Sequence, residues 1–192
     1  MNAARRAQAI LADPVREWAA IESEPGDPAY VLSRYVTVLA LVPAVFSFIG
    51  ACVVGVVLPG AGLVRAPLFN GLFGAILGYV LSCAIVLVLG ILINLVAPLF
   101  GGRRDFDSAF KLSVYSFTPA WLAGIFLVLP GLQFLTLTGL YGGYILWRGL
   151  PRLIKSPGQR SLDFAALIVV CAFALAYFAA VVQRMVFGTP GL

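Results

Sequence analysis

The polar residues able to do chemistry are few, and their placement limits the chemistry. The 192-residue chain has no histidine, which removes the commonest general base and the commonest transition-metal ligand. Cys52, Cys83 and Cys171 sit in three separate apolar runs, so they read as small core residues and not as a disulfide or a metal site. Asp105, Asp107 and Asp163 fall at expected helix starts, where a carboxylate caps orphan N–H groups and favours the helix dipole. An intramembrane aspartyl protease would need two such groups buried together. No nucleotide-binding glycine loop is visible. The expectation is no catalytic residue, no metal and no cofactor.

What remains is a polar stripe. Ser108, Lys111, Tyr115 and Thr118 recur at helical spacing, as do Tyr141, Tyr144 and Arg148 further on. A short connection through Pro130-Gly131 makes the two carriers antiparallel neighbours, and Asn94 belongs at a similar depth on the preceding helix. Asn94, Lys111, Tyr115, Thr118, Tyr141, Tyr144 and Arg148 are therefore expected to converge just inside the cytoplasmic leaflet. Two readings stand. One is interhelical hydrogen bonding with snorkelling of Lys111 and Arg148. The other is a site for an anionic lipid headgroup or a small solute.

The elements that hold this stripe follow from composition. The chain is 61% hydrophobic and 11% charged, against about 25% charged in a typical soluble domain. No single soluble core of this length hides so much apolar surface. The fold class is all-α, a polytopic bundle of transmembrane helices. Runs of roughly 20 apolar residues mark a span, and five are expected, over about 35–58, 70–97, 107–129, 132–149 and 163–187. With the N-terminus cytoplasmic and the C-terminus outside, eleven of the 13 basic residues fall on the cytoplasmic side, as the positive-inside rule requires.

Residues 1–34 form the cytoplasmic lead-in and 35–192 the membrane domain. The lead-in lacks the apolar core of a signal peptide. Asp13-Pro14 reads as an N-cap with proline at the first helical position. The helix that follows puts Pro14, Val15, Trp18 and Ile21 on one face. This predicts an amphipathic helix resting on the membrane surface with Trp18 at headgroup depth; a partner-binding arm is the other reading. Gly74 with Gly78 and Gly139 with Gly143 form small-xxx-small pairs that let helices approach closely, within or between protomers.

The order of these features resembles a known family. The run Ala109-Phe110-Lys111-Leu112-Ser113-Val114-Tyr115-Ser116-Phe117-Thr118-Pro119, followed by Trp121, Gly124 and Pro130-Gly131, is similar to the signature of bacterial Yip-family (Ypt-interacting-protein) domains. So is Gly139-Leu140-Tyr141-Gly142-Gly143-Tyr144 leading to Arg148-Gly149-Leu150-Pro151. The resemblance implies five spans, a cytoplasmic N-terminus and no catalytic residue set. Eukaryotic members of the family bind Rab-type GTPases or shape membranes, but the cytoplasmic segment they use is much shorter here, and Rab binding is not carried across.

The function expected is a non-enzymatic, multi-pass protein of the cell membrane that organises the bilayer or scaffolds partners. Its partners would be the lipid bilayer, anionic headgroups, and a second copy or another protein. Nucleic acid is not among them, because the basic residues are spread by topology and form no patch. The competing expectation is a transporter or channel for a small solute or ion, using the polar cluster.

Overall fold

The computed structural model describes residues 2–58 and 62–187. Two short helices come first, α1 (Ala3–Ala12) and α2 (Pro14–Ser23), folded back on each other about Asp13. The Asp13 carboxylate accepts from the Arg16 N–H at 3.0 Å, and Pro14 sits where no intrahelical donor is required. Asp27 repeats the device, accepting from the Tyr30 N–H at 3.0 Å, and starts α3 (Pro28–Val54). A small antiparallel β-hairpin follows, β1 (Val56–Leu58) with β2 (Gly62–Val64). Next come α4 (Leu68–Phe100), α5 (Phe106–Val128), a 3-10 helix over Pro130–Leu140, α6 (Tyr141–Leu153) and α7 (Gly158–Phe187).

Among the described residues four helices, α3, α4, α5 and α7, are long and apolar enough to cross a bilayer. The stretch expected as a spanning helix over 132–149 is different: a 3-10 helix that passes into the shorter α6. Its sequence explains this. Gly131, Thr136, Thr138 and Gly139 are weak helix formers. The Thr136 and Thr138 hydroxyls also bond back to the carbonyls of Gln133 and Leu135, each at 2.7 Å, competing with the α-helical ladder. The stretch still returns antiparallel to α5, with the 3-10 helix against the second half of α5 and α6 against the first.

The N-terminal segment departs most from expectation. It is a hairpin of two helices instead of one surface helix, and its apolar face packs on the protein. Trp18 and Ile21 are both 0% exposed, in one core with Ile10, Leu112, Ile145 and Leu150. Trp18 is therefore turned into the protein and away from lipid. A bilayer interface would leave the indole N–H in water, whereas here it donates to the Ile145 carbonyl at 3.0 Å.

Close packing of α6 depends on two glycines outside the expected pairs. A Cβ at Gly142 would lie 2.3 Å from the Ser116 carbonyl, and one at Gly149 would lie 2.6 Å from the Trp18 ring. Of the expected pairs, Gly139 faces the Ala120 backbone (3.0 Å) and Gly143 faces Val169 (3.2 Å); Gly78 faces only the end of Gln183, and Gly74 faces open space.

Candidate functional site

The polar residues gather where the α1–α2 hairpin meets α5 and α6. Arg6 is 4% exposed. Its guanidinium pairs with Glu17 at 2.5 Å and with Glu24, and it lies over the Tyr115 ring, 5.7 Å from the centroid. Two carboxylates and a π-face thus surround one buried cation, which is what a desolvated charge needs to be retained. Burial alone would pull the Arg6 pKa down, but the hydrogen bond and charge of Glu24, with Glu17, raise it above its ordinary value.

Lys111 reaches the end of α2. Its ammonium donates to the carbonyls of Ile21 (3.3 Å) and Glu24 (2.7 Å). The last carbonyls of a helix have no intrahelical partner and carry the negative end of the dipole, so Lys111 caps α2 from another helix. Tyr115 stands edge-on to Trp18 (6.2 Å, 72°) and to Tyr35 (4.8 Å, 69°). The Tyr35 hydroxyl meets the Thr118 hydroxyl at 2.8 Å, and Thr118 is buried.

Tyr141, Tyr144 and Arg148 lie on the more outward side of α6. Tyr141 and Tyr144 stack at 5.5 Å, and the Tyr141 hydroxyl donates to the Leu11 carbonyl at 3.2 Å. Arg148 lies over Trp147 at 5.7 Å, and its buried Nε has no hydrogen-bond partner. Asn94 on α4 has a buried carbonyl oxygen that is likewise unpartnered. The seven residues expected to converge therefore fall into separate places. Lys111, Tyr115 and Thr118 join Arg6, Glu17, Trp18, Glu24 and Tyr35; the others do not. The physical reason is α2, whose Trp18 ring packs against Gly149 alongside Leu112.

The residues missed from the sequence were Arg6, Glu17, Glu24 and Tyr35. A signal was present: Arg6 and Glu17 flank the Asp13-Pro14 break with opposite charge, which suits a helical hairpin. Asp105 stands at the N-cap of α5 as expected, and its carboxylate accepts from the Ser108 hydroxyl at 2.7 Å and from Arg103 at 3.3 Å.

A second feature is a cleft of about 270 Å³ walled by α4, α5, the 3-10 helix, α6 and α7. Leu89, Leu140, Gly143, Val169, Ala172 and Ala176 are among its lining residues. Ser113 on its wall is satisfied by the Val86 carbonyl at 2.7 Å, while the buried Ser116 hydroxyl has no partner. The cleft suits an apolar chain and offers no charge to a solute. Among the described residues no three His, Cys, Asp or Glu side chains come together as a metal-binding group.

The comparisons with known proteins agree with this architecture. A family model described as the Yip1 domain matches residues 9–182. Inner membrane protein YohC of Escherichia coli strain K12 is 26% identical over 161 residues, covering 82% of this chain and 83% of YohC. The YohC of E. coli O6:H1 gives the same values. No solved structure matches the chain. The match takes in α2, the polar centre apart from Arg6, and all four long apolar helices, so the chain belongs to the Yip1 domain family and is a multi-pass protein of the cell membrane.

Proposed function

We propose that this protein is a non-enzymatic organiser of the bilayer and scaffold for partners, crossing the membrane five times with the N-terminus cytoplasmic and the C-terminus outside. The observation that carries the reading is the way its charged and aromatic groups are used up internally. Arg6, Lys111, Tyr115 and Thr118 each spend their polar atoms or faces on other parts of the same chain. Such a centre rigidifies the bundle and leaves little to act on a substrate.

The fifth crossing is supported by length. A 3-10 helix rises about 2.0 Å per residue and an α-helix about 1.5 Å. Pro130–Leu140 and Tyr141–Leu153 together reach about 40 Å, enough for a hydrocarbon core of about 30 Å. Five crossings also keep eleven of the 13 basic residues on the cytoplasmic side. Arg148, a half-buried cation on the outward side of α6 beside Trp147, is the residue of the expected cluster best suited to an anionic headgroup. The transport alternative loses its main support, because the site it relied on is filled by Trp18 and Tyr35.

The test is reconstitution into liposomes followed by imaging of vesicle shape, with affinity capture from native membranes alongside. Remodelled vesicles or a reproducible partner lost on Trp18→Ala is the expected result. Unchanged vesicles together with no partner would refute the proposal, as would solute flux abolished by Tyr115→Phe.

A further inference from the structure

The α1–α2 hairpin reaches far along the bundle. α2 runs parallel to α6. At one end Glu22 pairs with Lys155 and with Arg152 (3.9 Å), midway the Trp18 indole donates to the Ile145 carbonyl, and at the tip Tyr141 donates to Leu11. α6 is antiparallel to α5, with Gly149 beside Leu112 and Gly142 beside Ser116. α5 is antiparallel to α4, where Ser113 donates to Val86 and Phe110 touches Gly90. Followed across these contacts, the hairpin tip at Asp13 stands level with the α4 segment near Val86, the middle region of Leu68–Phe100.

Two faces at equal height are therefore unlike. From tip to open end the hairpin turns Arg5, Gln8, Asp13, Arg16 and Glu22 outward, with Val15 and alanines between them. Over the same heights α4 turns Leu87, Ile91, Leu95 (52% exposed) and Leu99 (75% exposed) outward, and α7 adds Leu162 and Val170. Leu87 to Leu99 covers about 18 Å of helix axis, more than half of a hydrocarbon core of about 30 Å. A flat leaflet satisfies one face only. Set at Leu99, it immerses Asp13 and Arg16 in hydrocarbon, where charges are costly. Set at the hairpin tip, it leaves a column of leucine and isoleucine in water.

We propose that the cytoplasmic leaflet meets this protein at two depths, high against α4 and α7 and low against the α1–α2 hairpin, so that the protein thins the bilayer locally on its hairpin side. The inference rests on the orientation and the bilayer-organising role given above, and it supplies their mechanism. A one-sided mismatch bends the adjoining lipids and makes it favourable for thinned sides to meet, since bilayers resist such deformation.

The test uses single cysteines in a chain whose Cys52, Cys83 and Cys171 are replaced by alanine. The protein is placed in nanodiscs of phosphatidylethanolamine and phosphatidylglycerol and treated with a membrane-impermeant maleimide. In this register Ala19→Cys lies on the hairpin about 5 Å deeper than Leu95→Cys on α4. Arg104→Cys in the α4–α5 loop gives the water-exposed rate and Ile76→Cys the lipid-buried rate. The expected result is Ala19→Cys reacting nearly as fast as Arg104→Cys, and Leu95→Cys reacting at least about tenfold slower while being quenched by brominated lipid. Gln8→Cys on α1 repeats the hairpin measurement should Ala19→Cys disturb packing. Leu95→Cys labelling as fast as Arg104→Cys overturns the proposal, and so does shielding of both Ala19→Cys and Gln8→Cys. If the two depths hold but vesicles keep their shape and no partner is captured, the functional role fails while the mismatch stands.

Discussion

The hairpin-covered face and the α4–α7 face of this protein are built on opposite plans. On the first, the hairpin is held together and tied to α5 and α6 by particular contacts: an indole in a glycine socket, a lysine on helix-end carbonyls, a buried guanidinium between carboxylates. On the second, α4 is apolar around its whole circumference and turns Leu87, Ile91, Leu95 and Leu99 away from the protein. A helix apolar on all sides is at home in lipid and needs no designated partner. The difference teaches where specificity resides. One face is replaceable hydrophobe by hydrophobe; the other fails when a single group is lost.

The largest break in this contrast is Trp18→Ala, which empties a socket formed by Gly149, Leu112 and Ile145 and is expected to cost about 3–5 kcal/mol in a reversible detergent-unfolding titration. Arg6→Ala follows, at about 3 kcal/mol by the same titration, because Glu17 is left part-buried without its cation. Converting Glu17 to glutamine as well should recover part of that loss. Lys111→Met removes the cap on α2 and should cost about 1.5–3 kcal/mol, read also as faster proteolysis after Ser23. At the other end of the scale, Leu95→Ala on the lipid-facing column should change stability by less than about 0.5 kcal/mol. A larger loss there would erase the distinction between the faces.

A pH titration sharpens the same comparison. The hydrogen bond from Lys155 lowers the Glu22 carboxyl below its ordinary 4.5, although burial works the other way. The tie between α2 and the end of α6 is therefore fully present above pH 4.5 and is lost as pH falls through the lower value of the folded protein. Trp18 fluorescence should report loosening of the hairpin only below about pH 4.5, since protonated Glu22 no longer pairs with Lys155 or Arg152. Glu22→Gln should remove that acid transition and leave the rest of the profile in place.

Much of the scaffold was legible in the residues. Asp13-Pro14 marked a helix start because capping chemistry is local. The runs that became α3, α4, α5 and α7 stood out because a bilayer demands length and hydropathy, both of which are linear properties. The candidate site was less legible. Lys111, Tyr115 and Thr118 were singled out by spacing, but the partners they meet lie up to 90 residues away, and no periodicity encodes such a pairing. Trp18 misled because a tryptophan on an amphipathic helix suits a membrane interface and a protein socket equally well.

The sequence by itself determined the solvent and the elements. Missing histidine, sparse charge and long apolar runs specify membrane helices, since transfer into lipid depends on composition segment by segment. Only the tertiary structure decided what the N-terminal helices rest on. That choice depends on Gly149 being bare enough, and Ile145 near enough, to take an indole from a segment 127 residues distant. Burial against protein in place of lipid is a property of the assembled surface, and it turns a polar stripe that looked open into a closed joint.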